Sequence, residues 1–347
     1  MIIRFFLLIK RIFKNLQKVI RVSSEINSIV LDNQDSLGII NDKIAYWGDG
    51  DFIATKNYEN YFEFLDRLGL KEDFFITTIN DNIEIKGIII RPIINSKNND
   101  KFVVFCHGLT NNRWSLFYNM HLCLQRGYVI VSYDARNHGI SDKSSTTLGQ
   151  MESCDLQDIV NYIDKRYNPK KIALYGFSMG AGTVLFWISF FAGSMSQKVS
   201  LAICESPFDS VSEQLENFLG GGLNYYWKGY LLDKFVEKTL NNSREKLIGL
   251  SPFLNLPHQL PINLLLLHGL DDLVINWKAS KNIYDKLIRN TRNKGKVDFY
   301  LCEYAGHGEL PIIGDHIKGA MKWRKKDKKS KLTFSEIFLR HLEKNLQ

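Results

Sequence analysis

The chain has 347 residues, 45% of them hydrophobic and 24% charged, with a formal net charge of +8. That is an ordinary globular composition, ample for one large core plus appendages. Six basic residues and no acid precede Glu25, and 318–331 holds eight basic residues and one acid, so the remaining body is mildly acidic and argues against nucleic acid as a partner of the core.

The N-terminus, MIIRFFLLIKRIFKNLQKVIR, has an apolar run too short to span a bilayer, because Lys10 and Arg11 break it. A signal peptide needs a longer apolar stretch and a cleavage site of small residues. On a helical wheel Arg11, Lys14, Lys18 and Arg21 form one stripe, and Phe5, Leu8, Ile9, Ile12, Phe13, Leu16 and Ile20 fill much of the rest. This pattern predicts peripheral membrane contact through residues 1–21; the alternative is a helix packed on its own domain or on a partner. The expected location is cytoplasmic, at the inner face of a membrane. Residues 1–72 form this basic helix and an extension without a chemical motif.

From about Asp73 the pattern changes, and 73–347 reads as one domain. FFITTI and IEIKGIIIRP are β-rich and joined by Asn80-Asp81-Asn82, a hairpin signal. Short apolar strands follow at 102–106, 128–133, 171–176, 199–204, 262–267 and 297–302, with helix-like segments beginning near Trp114, Ser153, Met179 and Trp277. Continuous apolar strands separated by helices imply an α/β fold with a mostly parallel, doubly wound sheet covered on both faces. Functional residues then belong in loops beyond the strand carboxyl ends.

The alternation breaks once. Residues 209–257 are aromatic and helix-prone, with a hinge candidate at Gly220–Gly222, and read as a helical lid. Its Phe218, Tyr225, Tyr226, Trp227, Tyr230, Leu231, Leu232 and Phe235 suit an apolar acyl pocket or packing onto the sheet. Residues 318–331 read as a basic connector before a last amphipathic helix, SEIFLRHLEKN. The five cysteines, Cys106, Cys123, Cys154, Cys204 and Cys302, form no CxxC pair, which argues against a disulfide framework and zinc and for a reducing compartment.

The chemistry-bearing stretch is YGFSMGAGT, 175–183. GFSMG fits G-x-S-x-G, in which a sharp strand-to-helix turn lifts a serine above the sheet and crowding demands small residues two positions away, Gly176 and Gly180. The segment before it is strand-like and the segment after it helical, as the turn requires. A nucleophilic serine needs a base, and the base an orienting acid. HGLDDLVI supplies Asp271 and Asp272 after one strand, and EYAGHGE supplies His307 after the last. In CHGLTNNRW a glycine permits close backbone approach, so the backbone N–H groups of Leu109 and Met179 are the candidate oxyanion hole. The second of these opens the helix after Ser178, where the helix dipole adds to it.

These segments together resemble the α/β-hydrolase family over roughly Asp73 to His307. HGLT is similar to its oxyanion loop, YDARNHGISD to its DxRGHGxS stretch with Asn137 in place of a glycine, GFSMG to its elbow and AGHGE to its histidine loop. The nearest likeness is to serine aminopeptidase-like and Bem46-like hydrolases, whose members cleave esters, thioesters or peptides. The resemblance implies Asp272 rather than Asp271 as the acid, because it stands four residues after His268 in the HGxxDxxV pattern; Glu205 is a rival position. It implies a serine hydrolase acting on an ester or thioester of a small-molecule acyl substrate through Ser178, His307 and Asp272. The alternatives are a peptidase of the aminopeptidase type and a non-catalytic binding module. His107, His138 and His268 read as loop-fixing residues. No pattern suggests a metal, and no G-x-G-x-x-G follows a strand, so no cofactor is expected.

Overall fold

The computed structural model describes residues 69–218, 225–247, 249–293, 295–316, 319–323, 328–329 and 332–347. The basic segment 1–21, the rest of the extension to residue 68 and the hinge candidate Gly220–Gly222 lie outside the described residues. So do much of the basic connector and the side chains of Phe218, Tyr225, Tyr226, Trp227 and Leu231.

The first two strands, β1 (Gly69–Thr77) and β2 (Glu84–Pro92), form the expected antiparallel hairpin. The turn works because Asn82 takes φ 56°, a conformation asparagine tolerates, while Thr78 Oγ1 donates to Asp81 and accepts the Ile83 N–H. β1 begins at Gly69, inside the stretch assigned above to the extension.

The central strands are β3 (Lys101–Cys106), β4 (Val129–Tyr133), β5 (Lys171–Phe177), β6 (Val199–Glu205), β7 (Asn263–Gly269) and β8 (Val297–Cys302). Nearly every residue in them is buried, which is why their sequences run apolar rather than alternating. They pair in parallel in the order β4-β3-β5-β6-β7-β8, with β2 antiparallel beside β4. The chain leaves β3 for β4 on one side and then crosses to β5 on the other. The carboxyl ends of β3 and β5 are therefore the switch point, where a crevice opens.

The main helices are α1 (Phe117–Gln125), α2 (Gln150–Tyr167), α3 (Met179–Phe190), α4 (Val211–Phe218), α5 (Tyr225–Leu240), α6 (Lys278–Arg289), α7 (Leu310–His316) and α8 (Phe334–Asn345). Leu156, Ile159 and Val160 of α2, Val184 and Leu185 of α3, and Ile283 and Leu287 of α6 pack on one sheet face. Phe117 and Met120 of α1, Leu310 of α7, and Phe338 and Leu342 of α8 pack on the other. The helix after Ser178, α3, is buried on every side from Met179 to Ile188, matching its all-apolar sequence.

The lysine-rich connector differs from its sequence reading. It adds β9 (Met321–Trp323) antiparallel to β8 and β10 (Lys328–Lys329) antiparallel to β9. Segments of three and two residues carry no readable period, so nothing announced them. Lysines suit the position, because charge on an outer strand discourages further pairing.

The insertion between β6 and β7 is helical, as expected. Leu232, Val236 and Leu240, spaced four apart on α5, are buried in the core. Its far end is tied to the loop after β4: Thr146 N–H donates to Leu240 O at 2.8 Å, Asn242 Nδ2 to Thr146 O at 2.9 Å and Ser145 Oγ to Asn241 O at 2.7 Å. Leu232 is thus a packing residue and Phe235 lies against the core, while Tyr230 is exposed.

Candidate active site

Ser178 stands between β5 and α3 with φ 54° and ψ −114°, a backbone conformation unusual for any residue with a side chain. The turn holds because its N–H donates to Glu205 O at 2.9 Å and its carbonyl accepts the Gly182 N–H at 3.0 Å. Both flanking glycines are forced by space. A Cβ on Gly176 would sit 2.2 Å from Gly180 O, and one on Gly180 would sit 2.0 Å from Cys106 O.

The loops after β7 and β8 close on this turn. His307 Nε2 is 3.0 Å from Ser178 Oγ, and His307 Nδ1 is 2.8 Å from Asp272 Oδ2. Asp272 is buried and Asp271 is exposed, so the two adjacent aspartates are separated by burial. Asp272 Oδ1 accepts the N–H groups of Val274 and Ile275 at 2.9 and 2.8 Å. Burial opposes its charge, but His307 and His268 and their hydrogen bonds outweigh that and hold the carboxyl well below the usual range. The loops meet closely: Asp271 N–H donates to Ala305 O at 3.0 Å, and a Cβ on Gly269 would lie 2.2 Å from the same oxygen. The Phe177 ring supports the His307 ring, with centroids 4.8 Å apart.

His268 was expected only to shape its loop. It does so through Ser280 Oγ at 2.6 Å and Ile275 O at 2.9 Å, and its Nε2 also lies 3.3 Å from Asp272 Oδ2. Asp272 therefore faces two imidazoles, a contact the spacing of four hinted at without specifying. The rival acid, Glu205, is not joined to His307; its carboxyl takes the Tyr175 hydroxyl instead.

HGLT is fastened to the loop after β4 by two histidines. His107 Nε2 accepts the Ala135 N–H at 3.0 Å and its Nδ1 donates to Gly108 O at 2.7 Å. His138 Nε2 accepts the Thr110 N–H at 3.2 Å and its Nδ1 donates to Arg136 O at 2.8 Å. Each ring uses one donor and one acceptor, the pattern of neutral imidazole. Burial pushes the His107 pKa down to about 4 and lowers that of His138. Met179 opens the helix directly after Ser178, and the HGLT loop packs on the same turn: a Cβ on Gly108, next to Leu109, would lie 3.0 Å from the Phe177 ring. Asn137, where the motif has glycine, takes φ 64°. Thr110, Ser178, Ser206 and Tyr304 also have positive φ, and all lie in loops at strand carboxyl ends. Such strain gathers where a site over-determines the backbone.

A match to the α/β-hydrolase fold family covers residues 101–255. The chain superposes on an esterase of Pyrococcus furiosus, Pf2001, with TM-score 0.60 at 20% identity, covering 82% of this chain and 94% of that one. The chain has the α/β-hydrolase fold. It is similar to Bacillus subtilis YqkD, 27% identical over 256 residues, 73% of this chain and 78% of that protein. It is 25% identical over 177 residues to the lysophosphatidylserine lipase ABHD12 of Danio rerio, half of this chain and 43% of that protein. It spans 56% of the Escherichia coli K12 protein YfhR, at 26% identity over 184 residues. Among the described residues, no group of three histidine, cysteine or acidic side chains is arranged to hold a metal ion, and no helix is long and apolar enough to cross a membrane.

Proposed function

We propose that the protein is a serine hydrolase that cleaves a carboxylic ester or thioester through an acyl-enzyme. The single observation that carries this reading is the chain of contacts Ser178 Oγ–His307 Nε2 at 3.0 Å and His307 Nδ1–Asp272 Oδ2 at 2.8 Å. Ser178 Oγ attacks the substrate carbonyl while His307 Nε2 takes its proton. Asp272 holds the ring with its Nδ1 proton facing the carboxylate and stabilises the imidazolium. The N–H groups of Leu109 and Met179 receive the oxyanion. His307 then protonates the leaving alcohol or thiol, and the carbon–heteroatom bond breaks. A water, deprotonated by His307, adds to the acyl-enzyme, and Ser178 leaves with the proton as the free acid departs.

An acyl substrate is favoured by the exposed apolar side chains in the loops at strand carboxyl ends. Leu273, beside Asp272, is 91% exposed; Ile140, Tyr304 and Tyr230 of the insertion are also exposed. The relatives named above include a lipase and the structural neighbours an esterase, which fits ester chemistry. Hydrolysis of a short nitrophenyl ester by wild type and Ser178→Ala tests the reading: full activity in the variant overturns it. A chain-length series of acyl esters beside a panel of aminopeptides then tests the acyl preference, and faster turnover of the peptides sinks it.

Residues 1–21 are proposed to hold the protein to the anionic inner face of a membrane. The full chain is expected to sediment with vesicles containing anionic lipid and to be released by salt; equal binding to neutral vesicles excludes the electrostatic part of this role.

A further inference from the structure

One ionisable side chain in the floor of the site takes no part in the mechanism above. Glu205, at the carboxyl end of β6, is 1% exposed. Its carbonyl accepts the Ser178 N–H, and in register it lies between Phe177 of β5 and Leu267 of β7. Neighbours in register share a sheet face. Glu205 therefore stands beside Phe177, whose ring supports His307, among a core that includes Phe105, Ile203 and Leu267. One carboxyl oxygen takes the Tyr175 hydroxyl; the other, Oε1, is buried with no hydrogen-bond partner among the described residues.

The groups that act on Glu205 are the Tyr175 hydroxyl on β5, the Asp272 carboxylate after β7 and the Cys302 thiol at the end of β8. None is a cation. Asp272 spreads its charge over two imidazoles and two backbone N–H groups, whereas Glu205 has one hydroxyl. A second carboxylate here would be buried, half unpaired and beside a like charge.

We infer that Glu205 is a positioning residue that works as the neutral acid, bracing the supports of Ser178 and His307 while Asp272 remains the ionised carboxylate of the floor. Burial, offset in part by the Tyr175 bond and reinforced by the Asp272 charge, pushes the Glu205 pKa up to about 7. The folded protein then keeps a proton that the unfolded chain releases at lower pH. The stability this proton provides is present below the ordinary glutamate pKa and is lost as pH rises toward and through about 7. Ionisation loosens the turn under Ser178. The rate effect rests on the proposed serine chemistry; the effect on folding does not.

The test compares wild type, Glu205→Gln and Tyr175→Phe from acid to alkaline pH. Two quantities are read, the rate at which a fluorophosphonate labels Ser178 and the Tm. Wild-type labelling is expected to fall at least about threefold on the alkaline side of neutrality, while Glu205→Gln stays within about twofold of its neutral rate. The Tm of wild type, relative to Glu205→Gln, drops earlier, as pH rises from the ordinary glutamate range to about 7, and levels off above it. Tyr175→Phe removes a bond that favours the ionised form, so its alkaline decline moves to higher pH. Superimposable pH profiles for wild type and Glu205→Gln in both quantities overturn the inference. If Glu205→Gln does not fold, an unshifted decline in Tyr175→Phe overturns it. A wild type that never labels but shows the Tm difference defeats the hydrolase reading and leaves Glu205 its structural role.

Discussion

Around Ser178 the backbone is held by atoms that leave no room for another carbon, and Asp272 and His307 are fixed by hydrogen bonds from three separate loops. The insertion between β6 and β7 is held by other means. A stripe of Leu232, Val236 and Leu240 is sunk in the core, and a few hydrogen bonds tie its far end to the loop after β4. The first region specifies positions to a few tenths of an ångström; the second specifies attachment and leaves Tyr230 in solvent. Chemistry needs the first kind of order. The second kind leaves side chains exchangeable without loss of the fold, which is what variation in substrate choice needs.

The sharpest way to break this contrast is at the acid. Asp272→Asn keeps the shape but leaves His307 without its carboxylate, and is expected to lower kcat on a short ester by about 10^3–10^4-fold with an unchanged far-ultraviolet spectrum. A loss of less than about tenfold would mean that another group orients the histidine. Next come two glycines. Gly180→Ala drives a methyl against Cys106 O and is expected to cost more than about 3 kcal/mol or to prevent folding. Gly193→Ala, in the short helical turn Ala192–Met195, meets nothing within 4 Å and is expected to be neutral or stabilising by up to about 1 kcal/mol. Urea melts of the two variants measure the difference, and equal costs would remove the claim that the elbow is sterically locked.

Within the insertion the same contrast is expected on a smaller scale. Leu232→Ala is expected to cost about 2–4 kcal/mol. Tyr230→Ala is expected to stay within about 0.5 kcal/mol of wild type while changing the acyl-chain preference. A Tyr230 variant with unaltered preference would show that the exposed ring is outside the substrate path. A further effect, confined to acid pH, concerns His107. Its folded-state pKa lies below that of an ordinary imidazole, so the unfolded chain binds a proton first, and stability falls as pH drops from about 6.5 to about 4. His107→Gln removes this component. Its stability at neutral pH is expected to be lower than that of wild type, with the gap narrowing by roughly 1–3 kcal/mol on acidification. A constant gap would mean that the ring is not held neutral by its enclosure.

The parallel strands, the hairpin at Asn82 and the residues meeting at Ser178 were legible because each is demanded by a strong local rule. Continuous apolar runs can be satisfied only inside a covered sheet, and a serine between two glycines after a strand has few other uses. The choice of Asp272 over Asp271 rested on family spacing, and burial supplies its physical reason. Other features had no local signal. The strands β9 and β10 are too short to show a period and are selected by the open flank of β8. The His268–Asp272 contact and the bonds from His107 and His138 depend on loops meeting in space, which a linear reading does not order. The division of the insertion into buried Leu232 and exposed Tyr230 follows from how α5 lies on the core, and both side chains fit the same apolar pattern.

Asn137 shows what a motif position encodes. The family pattern writes glycine there, and this chain writes asparagine, yet the backbone sits at φ 64° all the same. The inherited quantity is a dihedral angle, and the letter is only one spelling of it. A catalogue of tolerated replacements at 137 should therefore sort by left-handed propensity rather than by size or polarity: glycine and aspartate accepted, valine and isoleucine rejected, whatever the chemistry at Ser178.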